Sequence, residues 1–313
     1  MNTGEGAETA PAATDAAAYW QLPAELLIDT AMARRIIGEF IRGHLRQTGF
    51  DRVVLGLSGG IDSAVVAYLV AEAVGADQLL CLLLPYRTSS PASTTDAAAV
   101  IGRLGCHQRL IDISGIVDGY FADALPLSGT VDGEPASGDV SRLRLGNFAA
   151  RARMAVLYDQ SVPWRGLVIG TGNKTEALLG YTTIYGDSAH AFNPIGDLYK
   201  SQVRQLAEDI GVPQSIRFKP PSADLWPGQT DEDELGLSYE EMDRLLYRMV
   251  DRRHARADLV AAGFAEQAIV RVEKLVAGSE FKRQMPPVAK LTTRTPGVDY
   301  LYPRRRPGPS AGG

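Results

Sequence analysis

Val53-Val54-Leu55-Gly56-Leu57-Ser58-Gly59-Gly60-Ile61-Asp62-Ser63-Ala64 is the stretch from which the rest of the chain is read. A short apolar strand ends at a Ser-Gly-Gly turn, and a helix is expected from about Asp62. Two adjacent glycines allow a tight turn with exposed backbone N–H groups. Between the end of a strand and the start of a helix, such a turn suits an anion, phosphate above all. Ser58 and Ser63 can add hydroxyl donors. Asp62 is the unusual residue. A carboxylate beside bound phosphate is repelled unless a cation lies between them, and Mg²⁺ suits that place. The string lacks the Gly-Lys-Ser/Thr of a Walker loop and the glycine spacing of a dinucleotide fingerprint.

Outward from this stretch the pattern alternates. Ile36, Ile37, Phe40, Ile41 and Leu45 recur at helical spacing behind Thr30, which is read as a cap. Helices are expected over 64–74, 94–104 and 142–160. Strands are expected over 53–57, 79–84, 109–113 and 167–169. The run at 79–84 is apolar throughout, as a parallel strand covered on both faces should be. Strand and helix in alternation imply an α/β fold: an open parallel sheet with helices on both faces. Beyond Pro194 the signal is helical, over 200–210, 238–250 and 266–277.

The 313 residues are 45% apolar and 22% charged, which is ordinary for a globular chain. The net charge of −5 gives no positive field for a nucleic-acid partner. No run reaches the ~20 apolar residues of a membrane span, and the N-terminus lacks the basic patch and apolar core of an export signal. The expected compartment is the cytoplasm. Cys81 and Cys106 form no CxxC pair and read as buried thiols. Residues 1–18 and 303–313 read as disordered tails around a single domain over 19–302, and 125–141 reads as a surface loop.

The second half carries further motifs. Leu167-Val168-Ile169-Gly170-Thr171-Gly172-Asn173-Lys174-Thr175-Glu176 is again a strand running into a glycine turn. Leu179-Gly180-Tyr181, Tyr185-Gly186-Asp187 and Asn193-Pro194-Ile195-Gly196-Asp197-Leu198-Tyr199-Lys200 follow. Then comes Lys219-Pro220-Pro221-Ser222-Ala223-Asp224-Leu225-Trp226-Pro227-Gly228-Gln229-Thr230-Asp231-Glu232-Asp233-Glu234-Leu235-Gly236. The Ser-Gly-Gly-Ile-Asp-Ser string resembles the signature of the N-type ATP pyrophosphatases, which have an adenine nucleotide alpha hydrolase-like, Rossmann-like fold. With the later motifs, the chain resembles the ammonia-dependent NAD⁺ synthetases over about residues 30–290.

That resemblance implies an amide-forming ligase. It would adenylate a carboxylate, with deamido-NAD⁺ the first expectation, release pyrophosphate, and pass the acyl group to ammonia with release of AMP. It also implies a homodimer and Mg²⁺-ATP. Gly56, Leu57, Ser58, Gly59, Gly60, Ile61, Asp62 and Ser63 would wrap the ATP phosphates. Thr171 and Ser222 would add hydroxyls, and Lys200 a point charge. Family members commonly carry Thr where this chain has Ser222. Asp62 and Glu176 would hold the metal, and Asp62 and Lys200 carry the chemistry. Arg151 would contact the carboxylate substrate. The acidic run 231–234 reads as a lid-like or helix-capping segment without a chemical role. The chain has no room for a glutamine-hydrolysing domain, so ammonia would be free or delivered by a partner.

The departures gather on the acceptor side. Thr182 stands where the family has an aromatic, Ile184 where it has Lys, Ala191-Phe192 where it has Asp-Ile, and Phe281-Lys282 where it has His-Lys. These positions would line the acceptor pocket and make it more apolar. An alternative is therefore an amide synthetase of the same family acting on another acid. A non-catalytic nucleotide binder is a further alternative, although it need not keep Asp62 and Glu176.

Overall fold

A computed structural model describes residues 24–123, 138–221, 231, 235–295 and 299. Ser222, both expected tails and nearly all of the expected 125–141 loop lie outside these residues. Strand β1 (Arg52–Gly56) is followed by helix α2 (Ile61–Val74), β2 (Leu79–Leu83), α3 (Pro91–Leu104) and β3 (His107–Leu110). Then come α4 (Ser114–Asp123), α5 (Gly138–Trp164), β4 (Gly166–Val168) and α6 (Lys174–Leu179). Helix α1 (Thr30–Thr48) precedes β1, and α7 (Lys200–Asp209) follows α6. After α8 (Gln214–Arg217), the C-terminal part contains α9 (Tyr239–Leu246), α10 (Arg256–Ala261) and α11 (Glu266–Gly278).

The four strands of the described residues pair in the order β3-β2-β1-β4, all parallel. Side chains alternate across the sheet, as period two requires. Val53, Leu55, Leu79, Cys81 and Leu83 enter a core with α1, α2 and α7. Val54, Leu80 and Leu82 enter a second core with Ala149 and Ala152 of α5. Helices thus cover both faces, and a third cluster, containing Tyr239, Met242, Leu246, Ile269 and Val272, joins α9 to α11. No helix among the described residues is long and apolar enough to cross a membrane. Cys81 and Cys106 are free and buried, as expected.

Several boundaries differ from the sequence reading. Asp29, not Thr30, caps α1, because its carboxylate accepts the Met32 N–H at 2.8 Å. β3 begins at His107 instead of Arg109, set by parallel pairing with Leu80. Its residues are exposed, so no apolar alternation marks it. α5 starts at Gly138, ahead of the expected Arg142. The helix expected over 238–250 closes at Leu246 and continues as a wider π turn, Tyr247–Asp251.

Strand order reverses between β1 and β4, each the neighbour of the other. In an open parallel sheet the ligand crevice lies beyond the carboxyl ends of such strands. The Ser-Gly-Gly turn follows β1 and the Gly170–Asn173 turn follows β4. Gly59 has φ +79°, and a Cβ there would lie 2.1 Å from the carbonyl oxygen of Ser93. Both the backbone angle and the space therefore demand glycine. We expect Gly59→Ala to lower stability by about 3 kcal/mol, read as a fall in the denaturation midpoint without a change in its slope.

Candidate active site

The turn after β1 is held by its own hydroxyls. Ser58 N–H donates to Ser63 Oγ at 3.3 Å, and Ser63 Oγ donates to the Gly60 carbonyl at 3.1 Å. The two hydroxyls lie 3.1 Å apart, and Gly60 N–H reaches Ser58 Oγ at 3.3 Å. Leu57 N–H is committed to the sheet through the Leu82 carbonyl, 2.9 Å away. Leu57 and Gly56 thus shape the loop, while the N–H groups from Ile61 to Ser63 open α2 without intrahelical partners. Asp62 stands in this first turn.

Helix α6 supplies the second acid. Asn173 caps it by accepting Glu176 N–H at 2.9 Å, and Glu176 Oε2 accepts Asn173 N–H at 3.2 Å. This capping box sits directly beyond β4, with Gly170, Thr171 and Gly172 making the turn. Gly170 is packed against His190: a Cβ there would lie 2.4 Å from its ring. Burial holds the His190 imidazole below its ordinary pKa. Thr171 is half-buried in the turn.

Lys200 joins the two acids. It opens α7, is 3% exposed, and its Nζ lies 2.5 Å from Asp62 Oδ2 and 3.4 Å from Glu176 Oε1. Asn173 Nδ2 donates to the other oxygen of Asp62 at 3.0 Å. The ammonium also lies 5.1 Å from the centroid of the Tyr239 ring. Burial lowers the lysine's pKa, but Asp62 and Glu176 together outweigh it, so the group is held charged. Burial, reinforced by the Asp62 charge and countered by Lys200, pushes Glu176 up to about 8. The sequence reading brought Asp62, Glu176 and Lys200 to one place, and the structure does so too.

Asp231 corrects the reading of the acidic run. It is 4% exposed and accepts the hydroxyls of Tyr181 at 3.1 Å and Tyr239 at 3.0 Å. Burial raises its pKa, and the Lys200 charge opposes that. It belongs to the electrostatics of the site and is not a solvent-facing capping acid. Asn173 was also missed, although the Asn-Lys-Thr-Glu spacing of a capping box was legible. Asp231 gave no such signal, because no motif spacing links it to Tyr239, eight residues on, or to Tyr181, 50 residues before it.

The acceptor-side residues converge only in part. Arg151 Nε and Nη2 donate to the Ile184 carbonyl at 3.3 and 3.1 Å. Lys282 Nζ donates to the carbonyls of Gly180 at 2.7 Å and Thr182 at 2.8 Å. These three residues therefore meet on one segment, 180–188. Ala191 instead runs beside β4, its N–H on the Val168 carbonyl at 2.8 Å. Phe281 is 61% exposed.

The NAD synthase family model matches residues 34–286. The chain belongs to the NAD synthase family. It is 48% identical over 282 residues to the NH₃-dependent NAD⁺ synthetase of Chlorobaculum parvum, an alignment covering 90% of this chain and 97% of that one. Among solved structures, the NMN synthetase of Francisella tularensis matches with a TM-score of 0.72 at 30% identity, over 85% of this chain and all of that one. The NH₃-dependent NAD synthetase of Campylobacter jejuni, solved with nitrate, matches at 0.68 and 32% identity, over 84% of this chain and all of that one.

Membership of the NAD synthase family makes the donor set at the site chemically pointed. Asp62 and Glu176 offer hard carboxylate oxygens, and no group of three or more His, Cys, Asp or Glu side chains suited to a metal occurs among the described residues. Two acids without a full protein cage fit a Mg²⁺ ion whose other ligands come from phosphates. The raised Glu176 pKa has a pH consequence. Between the ordinary carboxylate range and about 8 the folded state holds a proton that the unfolded chain has lost, so stability falls as pH rises across that window. In chelator, Glu176→Gln should flatten this decline and raise the melting temperature at pH 8, with little change at pH 5, as read by thermal denaturation.

Proposed function

We propose that the chain is an ammonia-dependent NAD⁺ synthetase: it couples ATP cleavage to AMP and pyrophosphate to the amidation of deamido-NAD⁺. The observation that carries this reading is Lys200 Nζ bracketed by Asp62 and Glu176 at the mouth of the β1 loop. The family match and the names of the relatives support the substrate.

In this reading the first-turn N–H groups of α2 and the Gly59–Gly60 backbone receive the phosphates. Asp62 and Glu176 would hold Mg²⁺, which would supply charge neutralisation to the phosphates. Lys200, kept cationic, faces the negative charge that grows on the phosphates as the substrate carboxylate attacks in line. Thr171 and Ser222 complete the ATP contacts. The acyl-adenylate then passes its acyl group to ammonia, whose nitrogen forms the new C–N bond while AMP leaves with the C–O bond electrons. Positioning and electrostatics carry the catalysis, and no protein nucleophile is needed. Consumption of ATP supports the cytoplasm as the compartment.

A mononucleotide acid is the second reading for the carboxylate. By the family resemblance, Ile184 stands in the place of a lysine, Ala191 of an aspartate and Phe281 of a histidine, and the Francisella relative is named for the mononucleotide. A homodimer remains part of the proposal. Met32, Ile36 and Phe40 recur every four residues on α1 and are 44%, 61% and 44% exposed, an apolar stripe suited to a partner copy.

Purified protein with ATP, Mg²⁺ and ammonium should convert deamido-NAD⁺ to NAD⁺ with stoichiometric pyrophosphate, faster than it converts nicotinate mononucleotide, as read by mass spectrometry. Preference for the mononucleotide would transfer the assignment to the second reading. Asp62→Ala should keep the fold by circular dichroism and lose at least about a thousandfold in turnover; normal turnover would remove its proposed role. Light scattering should give twice the 33.6 kDa chain mass, and a monomer would refute the dimer.

A further inference from the structure

The acids account for the Lys200 ammonium but not for how the start of α7 is fixed against the start of α6. Helix α9 does that. Tyr239 and Asp243 lie four residues apart, on one helix face, and both are fully buried. Tyr239 places its ring beneath the ammonium. Asp243 reaches the backbone of the next residue. Its Oδ2 accepts Ser201 N–H at 2.7 Å, and its Oδ1 accepts the Thr175 hydroxyl at 2.5 Å. Thr175 Oγ1 in turn accepts Lys200 N–H at 3.0 Å.

Burial raises the Asp243 pKa, opposed by the Thr175 and Ser201 hydrogen bonds, and with Asp243 ionised the directions of these bonds are fixed. A backbone N–H only donates, so Thr175 Oγ1 accepts from Lys200 and its own proton goes to Asp243. Asp243 therefore faces two donors and must supply two acceptors. A carboxylate does so; an asparagine would turn its NH₂ against one of them. Burying a carboxylate is costly, and here it is offset by charge-assisted bonds at a helix N-terminus. Thr175 is adjacent to Glu176, and Ser201 to Lys200. One side chain thus ties the helix start that carries an acid to the helix start that carries the cation.

We propose that Asp243, acting through Thr175, is a positioning residue that sets the Glu176–Lys200 geometry and thereby the affinity of the site for divalent metal with nucleotide. This rests on the ATP site proposed above, but it predicts binding as well as turnover.

The test measures Mn²⁺ binding by electron paramagnetic resonance, with a non-hydrolysable ATP analogue at saturation. Asp243→Asn and Thr175→Val should each weaken Mn²⁺ about tenfold or more, with Thr175→Ser within about twofold of wild type. In a Glu176→Gln background the Asp243→Asn loss should shrink to about twofold or less, because the group it positions is gone. Wild-type Mn²⁺ affinity in either Asp243→Asn or Thr175→Val overturns the proposal. So does an undiminished loss in the Glu176→Gln background, which marks a general structural effect. If Asp243→Asn does not fold, Thr175→Val decides, alone and in the same background. NAD⁺ formation by the wild type is followed in parallel. Its failure with the Mn²⁺ pattern intact removes the proposed activity and leaves the positioning role standing.

Discussion

A lysine ammonium buried between two carboxylates is the constraint around which the chain is arranged. Lys200 is 3% exposed, and an isolated charge at that depth would be strongly disfavoured. Asp62 and Glu176 make the burial tolerable, but only if three helix starts from separate parts of the sequence converge. Removing one partner of a buried ion pair typically costs about 3–5 kcal/mol, because the remaining charge stays desolvated. The same arrangement concentrates negative charge: Asp62, Glu176 and nearby Asp231 outnumber the one lysine. Glu176 answers with a pKa pushed up to about 8. A site with spare carboxylate charge, opening beside N–H groups, is built for a cation and an anion together.

The sheet makes the convergence possible. β1 and β4 are neighbours although the chain between them runs through two other strands and two faces of helices. The turns leaving these strands carry Asp62 on α2 and Asn173 with Glu176 on α6. Their register is fixed by parallel pairing of Val53 with Leu167 and Val54 with Val168. The buried faces of those strands lock it, since a one-residue slip would turn Val54 from one core into the other. Apolar packing thus sets the height at which the two acids emerge, and α9 sets the height of the lysine.

Much of this was legible in the sequence, for identifiable reasons. Three of the four strands and the phosphate turn announce themselves because buried parallel strands are short apolar runs and tight turns need glycine. β3 was misplaced because an exposed edge strand, His107 to Leu110, carries no apolar alternation. α6 was read only as a turn, since six residues are too few for a helical period, although its capping box was present. Asp231 and Asp243 were beyond reach. Asp231 acts through Tyr239 and the remote Tyr181, and Asp243 through the remote Thr175 and Ser201. No local pattern separates such an acid from one facing solvent.

The two sides of the site are held by different kinds of contact, and this bears on how each can change. Asp62, Glu176 and Lys200 are held to one another through side-chain atoms, and removing either Lys200 or the Asp62 carboxylate leaves the other buried charge without its nearest partner. The segment 180–188 is held partly through its backbone carbonyls and partly through the side chains of Tyr181, Thr182, Thr183 and Asp187. Arg151 grips the carbonyl of residue 184, and Lys282 the carbonyls of residues 180 and 182. Those grips do not depend on which side chain the residue carries. The side chain at residue 184 can therefore change with the Arg151 grip still in place. Residue 184 can exchange its side chain without losing this hold, while the pairing of Lys200 with Asp62 depends on both side chains.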